Sequence, residues 1–248
     1  MINNVLVEVC CGGINDCLTA IKCNADRIEL NSALEMGGLT PSVSVLRAVK
    51  KLTDIPICCM VRPRGYGFCY SEEEYQMMKE DARLLIENGA DGIVFGFLHE
   101  DGSLDEERTR EFVTVIKPKQ AVFHKAFDHI ENKDEAILKL IDCGVDRILT
   151  SGGAVYPDIE EGLQVMHKYN YLYGDKITIL PGGGVRSHNA VEILEKTGCH
   201  QIHMTAKELK LDRSTYEDGK DPKDYSYVAV SEANLKEIMN EIKKAKID

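Results

Sequence analysis

The sequence contains no C-x-x-C pair, no run of Lys and Arg, and no apolar stretch approaching the ~18 residues of a membrane span. Its nine cysteines are an odd number, scattered through the predicted strands and helices, which argues against both a secreted disulfide framework and a zinc ribbon. The first residues lack the basic-then-apolar pattern of a signal peptide, so a soluble, cytoplasmic protein is expected. Forty-one acidic residues against 30 basic ones give a net charge of −11, which argues against nucleic acid or an anionic membrane as partner.

What the chain does contain is a repeat. Asn24-Ala25-Asp26-Arg27-Ile28-Glu29-Leu30-Asn31 returns as Gly89-Ala90-Asp91-Gly92-Ile93, Gly144-Val145-Asp146-Arg147-Ile148 and Gly198-Cys199-His200-Gln201-Ile202, with starts separated by 65, 55 and 54 residues. In each copy a helix-like run stops at Asn or Gly, where a left-handed cap costs little, and a short strand follows. The hydrophobic pattern places eight strands, at 5–11, 27–31, 56–62, 92–98, 120–128, 147–151, 176–180 and 201–205, each followed by a helix, the last delayed to 231–246. Ser42 is positioned to cap the helix after the second strand, and Ser71 with Glu74 matches a capping box for the helix after the third. Eight β-then-α units with a two-unit repeat call for a single-domain (β/α)8 TIM barrel over residues 1–248, in preference to an open flavodoxin-like or Rossmann sheet. A charged, tyrosine-bearing insertion at 208–230 interrupts the last connection as a lid, a subunit contact or a surface loop.

Strand residues alternate between the barrel interior and the helices, and the helix-facing set must be apolar. Val7, Val9, Ile28, Leu30, Val61, Phe123, Phe127 and Ile202 satisfy that, which sends Glu8, Cys10, Arg27, Glu29, Asn31, Cys58, Met60, Arg62, His124, Asp128, Gln201, His203 and Thr205 inward. Charged groups there must satisfy one another, a ligand or water, because an unpaired buried charge costs several kcal/mol. One reading is a self-satisfied network, such as Glu29 with Arg62, that only sets barrel register. The other is a site at the C-terminal mouth, with Glu8 and Glu29 as the leading pair, since neighbouring carboxylates push their pKa values apart. In an enzyme, Glu8, Glu29, His124 or Asp128 would move protons and Arg62 would neutralise developing charge, as isomerase or lyase chemistry requires. Glu8, Glu29, Asp128 and His124 would alternatively suit Mg2+ or Mn2+. No lysine takes inward strand parity, Lys125 reading as helix-facing, which counts against a Schiff-base aldolase.

Two further signals remain. Gly182, Gly183 and Gly184 follow the seventh strand, where barrels commonly hold a phosphate, so a small anionic metabolite is a candidate ligand. Lys207 and Arg64 would add charge to that pocket, and Ser151 and Gly152 further donors. Soft donors form the other signal: Cys10, Cys58 and Met60 share inward parity, and Cys69 lies just beyond, as a Cu(I) site would need.

The blocks Glu8-Val-Cys10, Ala25-Asp-Arg-Ile-Glu-Leu30, Gly37-Gly-Leu-Thr-Pro-Ser42, Met60-Val-Arg-Pro-Arg-Gly65, Phe123-His-Lys-Ala-Phe-Asp128, Leu149-Thr-Ser-Gly152 and Pro181-Gly-Gly-Gly184 stand in this order along the chain. Together they resemble the CutC family, named for copper homeostasis, from about Val5 to Lys207. The resemblance implies a cytoplasmic TIM barrel, self-associated as a homodimer or higher homo-oligomer, that binds or traffics Cu(I). The family commonly carries cysteine directly after the R-I-E-L block, where this chain has Asn31. It also often has arginine where Lys125 stands, and His-Cys-Ser-Ala-Arg where His203-Met-Thr-Ala-Lys207 stands.

Overall fold

The computed structural model describes residues 1–245. The expected helix limit at Lys246 and the domain limit at Asp248 lie outside the described residues. The chain alternates β1 (Leu6–Cys11), α1 (Ile14–Lys22), β2 (Arg27–Leu30), α2 (Val43–Lys50), β3 (Ile57–Met60), α3 (Glu72–Glu87), β4 (Gly92–Phe95) and α4 (Glu106–Ile116). It continues through β5 (Gln120–Phe123), α5 (Lys133–Cys143), β6 (Arg147–Thr150), α6 (Glu160–Tyr173), β7 (Thr178–Pro181), α7 (Ala190–Thr197) and β8 (Gln201–Met204). A hairpin of β9 (Lys207–Leu211) and β10 (Ser226–Val230) precedes α8 (Glu232–Lys244). The first eight strands form one parallel sheet in the order β7-β6-β5-β4-β3-β2-β1-β8, and β7 lies beside β8 across the remaining seam, so the sheet wraps into the expected barrel.

The repeat has a structural meaning. Asn24, Gly89, Gly144 and Gly198 all take left-handed φ values, +60°, +102°, +83° and +66°, at the ends of α1, α3, α5 and α7. Each cap releases the chain into the next even-numbered strand three residues later. In three copies the aspartate between cap and strand accepts an amide from the preceding odd strand: Asp26 from Val7 at 3.0 Å, Asp91 from Ile57 at 2.8 Å and Asp146 from Ala121 at 2.7 Å. His200 occupies that place in the fourth copy.

Strand parity sorts the core into two. Val7, Val9, Ile28, Leu30, Val61, Phe123 and Ile202 pack between strands and helices, each such burial contributing about 1.5–3 kcal/mol. Inside the barrel the apolar cluster is small, made of Cys58, Met60, Val94 and Val122, because polar side chains take much of the interior.

The strands are shorter than the sequence pattern suggests. Most consequentially, β5 stops at Phe123, and Lys125–His129 forms a 3-10 turn in which strand parity no longer applies. β4 ends at Phe95 rather than residue 98. The Ser71–Glu74 capping box forms on α3, with the Ser71 hydroxyl accepting from the Glu74 amide at 3.2 Å. Ser42 stands at the α2 N-cap, but its hydroxyl bonds to Ser44 Oγ at 3.0 Å instead of a backbone amide. The insertion folds as the β9–β10 hairpin and leans on α1, where Asp16 accepts the Val230 amide at 2.9 Å.

Candidate functional site

Register, more than parity, decides which inward residues meet. β1 is flanked by β2 and β8, with Glu8 opposite both Arg27 and His203, and Cys10 opposite Glu29. Glu8 therefore sits deep in the barrel among basic groups. It pairs with Arg27, accepts from His203 Nδ1 at 2.7 Å and lies 4.0 Å from Arg147. Arg27 also donates to Gln201 Oε1 at 2.8 Å and Arg147 to Gln120 Oε1 at 3.0 Å. Burial alone would raise the Glu8 pKa, but Arg27, the His203 hydrogen bond and Arg147 outweigh it and hold the carboxyl well below its usual range. A buried charge network thus exists, built on Glu8 and Arg27 in place of Glu29 and Arg62, although Arg147 Nε finds no partner among the described residues.

One level nearer the mouth, a cavity of about 310 Å³ opens at the C-terminal ends of the strands. Of the residues singled out in the sequence, Cys10, Glu29, Asn31, Met60, Arg62, His124, Gly183, Gly184, His203, Thr205 and Lys207 line it. Cys10 Sγ, a Glu29 carboxylate oxygen and a His203 ring nitrogen lie within 4.8 Å of one another, and all three side chains are buried. With Nδ1 engaged by Glu8, Nε2 is the His203 nitrogen left for a ligand, the arrangement that orients metal-binding imidazoles. Asn31 braces the cluster, its amide donating to Glu29 Oε2 at 2.8 Å and to Cys10 Sγ at 3.4 Å. Burial and the adjacent Glu29 push the Cys10 thiol well up. Burial opposes His203 protonation, but Glu29 and Glu8 prevail and raise its pKa.

On the opposite wall His124 is 4 % exposed, and burial with Arg62 nearby lowers its pKa to about 3. Its Nδ1 accepts from the Ala126 amide at 3.1 Å, so the neutral ring carries its proton on Nε2. Arg62 is clasped by loop carbonyls, donating to Met36, Gly38 and Tyr66 at 3.1, 3.2 and 2.5 Å. Four polar atoms of cavity-lining residues are buried without a protein partner: Glu29 Oε1, Asn31 Oδ1, Arg62 Nε and His124 Nε2. Groups of this kind are rare in folded proteins and mark a place where a ligand or water completes the bonding.

Eight expected residues lie elsewhere. Glu8 is consumed in the deep network, and Cys58 sits beside it, its sulfur accepting from Arg147 at 3.5 Å. Arg64 faces outward and pairs with Glu74 at 2.6 Å. Asp128 accepts the amides of Ser151 and Gly153 and the hydroxyls of Thr150 and Ser151, while the Gly152 amide goes to Thr150 Oγ1 at 2.8 Å. The donors of Ser151 and Gly152 are thus spent inside the loop. Gly182 packs against Leu149 and His203, and its amide bonds to the Thr150 carbonyl at 2.9 Å. The hard-ligand set of Glu8, Glu29, Asp128 and His124 is dispersed by the same placements. Cys69 is exposed.

Lys125 and Arg186 were missed. Helix-facing parity for Lys125 holds only if β5 runs past Phe123; in the turn its Nζ reaches Ser151 Oγ at 2.6 Å and Asp128 at 2.8 Å, and it lines the cavity. Arg186, two residues beyond the glycine run, was legible only as a charge next to a turn.

Fold and site define a TIM barrel whose mouth cavity joins a Cys/Glu/His cluster to a cationic rim. Residues 5–208 match the CutC family. A CutC family protein from Treponema denticola is 44 % identical over 212 residues, covering 86 % of this chain and 85 % of that one. The human copper homeostasis protein cutC homolog is 39 % identical over 208 residues, 84 % of this chain and 76 % of that one. The crystal structure of a CutC protein from Streptococcus agalactiae aligns with a TM-score of 0.76 at 30 % identity, covering 81 % of this chain and 98 % of that chain. The chain belongs to the CutC family. No described helix is long and apolar enough to cross a membrane.

Proposed function

We propose that this chain serves copper homeostasis in the cytoplasm by holding Cu(I) as cargo on Cys10 and His203, with Glu29 closing the set. The observation that carries this reading is the convergence of the three ligand atoms within 4.8 Å at a cavity wall. A thiolate and an imidazole are donors that Cu(I) accepts, and the Met60 thioether lines the same cavity. The human relative's name as a copper homeostasis protein supports the same reading.

Because the Cys10 thiol is pushed up, it holds its proton at neutral pH, and copper must displace it. Affinity is therefore expected to rise about tenfold per pH unit for each proton released. The test is an anaerobic Cu(I) titration against a competing chelator, on reduced wild type and Cys10→Ala, at two pH values. Tight one-to-one binding that strengthens with pH and disappears in the variant is the expected result. Binding indifferent to Cys10 would overturn the assignment.

A further inference from the structure

Nearer the mouth than the Cys10 cluster, the cavity wall changes sign. Lys125, Arg186 and Lys207 line it, and among the described residues neither Arg186 nor Lys207 has a carboxylate partner. Arg186 spends one Nη1 bond on the Val185 carbonyl at 2.7 Å. Beside these cations the glycine run turns with φ of +98° at Gly183 and +139° at Gly184. A side chain at Gly183 would be strained there and would sit 2.6 Å from Lys125 Nζ, so the loop leaves its backbone bare against the rim. The amides of Gly183 and Gly184 bond to none of the described residues.

Deeper in the same cavity stand a buried donor and a buried acceptor without protein partners, His124 Nε2 and Glu29 Oε1. A soft monovalent cation satisfies neither the rim cations nor the His124 N–H. An anionic head with hydroxylated carbons behind it satisfies all of them. The volume of about 310 Å³ stands at the small end of the range for small-molecule sites.

We propose that the barrel mouth binds a small phosphate monoester of a hydroxylated compound, its phosphate held between the Gly183–Gly184 amides and the Arg186 and Lys207 side chains, and its oxygen-bearing carbons over His124 and Glu29. The loops after the seventh and eighth strands are where barrels frequently hold a phosphate. The proposal shares Glu29 with the copper reading, but copper and phosphate titrations are separate measurements on the wild-type chain, so either reading can fail alone.

The test is calorimetric titration with ribose 5-phosphate, inorganic phosphate and ribose. Ribose 5-phosphate is expected to bind, inorganic phosphate more weakly, and ribose not measurably. Arg186→Gln and Lys207→Ala are each expected to weaken ribose 5-phosphate binding by about tenfold, the loss of one charge-assisted contact. Arg186 is only partly buried and Lys207 is exposed, so both variants should fold, which circular dichroism checks. Wild type that ignores both ribose 5-phosphate and inorganic phosphate at millimolar concentration would overturn the proposal. So would undiminished ribose 5-phosphate binding in the double variant.

Discussion

Glu8→Gln and Glu29→Gln remove the same charge from two carboxylates of the barrel interior, and the structure expects them to behave differently. Glu8 accepts from Arg27 and His203 and lies 4.0 Å from Arg147, and each of these residues is at most 6 % exposed. Neutralising it leaves basic groups facing one another in a dry interior, which costs about 3–5 kcal/mol. Against a total stability of about 5–15 kcal/mol that is a large share. At about 2–4 °C per kcal/mol for a chain of this size, Tm should fall by roughly 6–20 °C. Glu29 has one oxygen bonded to the Asn31 amide and the other bonded to nothing in the protein. Glutamine keeps the shape and one acceptor there, so the expected change is within about 1 kcal/mol. Urea and thermal unfolding of both variants followed by circular dichroism measure the difference. Equal losses, or a neutral Glu8→Gln, would refute the division of the interior into a structural level and a ligand level.

Two further perturbations test neighbouring parts of the argument. Asp128→Ala should cost about 2–4 kcal/mol, since it strands the Ser151 and Gly153 amides, and should speed hydrogen exchange at 151–153; unchanged protection there would show that Asp128 does not organise the loop. His124 titrates at about 3 in the fold against an ordinary 6.5, so below pH 6.5 the unfolded chain takes up a proton that the folded chain refuses. Stability from this residue is therefore lost as pH falls from 6.5 towards 3, at up to about 1.4 kcal/mol per pH unit. His203, with its raised value, works oppositely, its contribution present below 6.5 and lost as pH rises through its folded value. Comparing wild type with His124→Gln by urea midpoint between pH 7 and 4.5 isolates the His124 slope, and identical slopes would refute its burial as a neutral ring.

The sequence by itself determined the barrel, the alternation of its elements and the two faces of its strands. These are local properties: a left-handed cap at Asn24, Gly89, Gly144 or Gly198 stops a helix whatever surrounds it, and successive strand residues point oppositely wherever the strand lies. Parity alone thus sent Cys10, Glu29, Arg62 and His124 inward. It could not say which neighbours each would meet, because Glu8 and Cys10 have the same parity and strand register alone sets Arg27 and His203 beside one and Glu29 beside the other. The end of β5 was easily misjudged, since Phe123, His124, Phe127 and Asp128 fit a period of two and only Lys125 and Ala126 break it, in a segment that the structure bends into a turn. Tertiary structure alone brought Lys125 and Arg186 to the rim, spent Asp128 on the loop after β6 and placed Glu8 against Arg27. The physical reason is that side-chain direction follows from the backbone angles of one residue, whereas depth, pairing and charge balance follow from how eight strands stagger around a common axis.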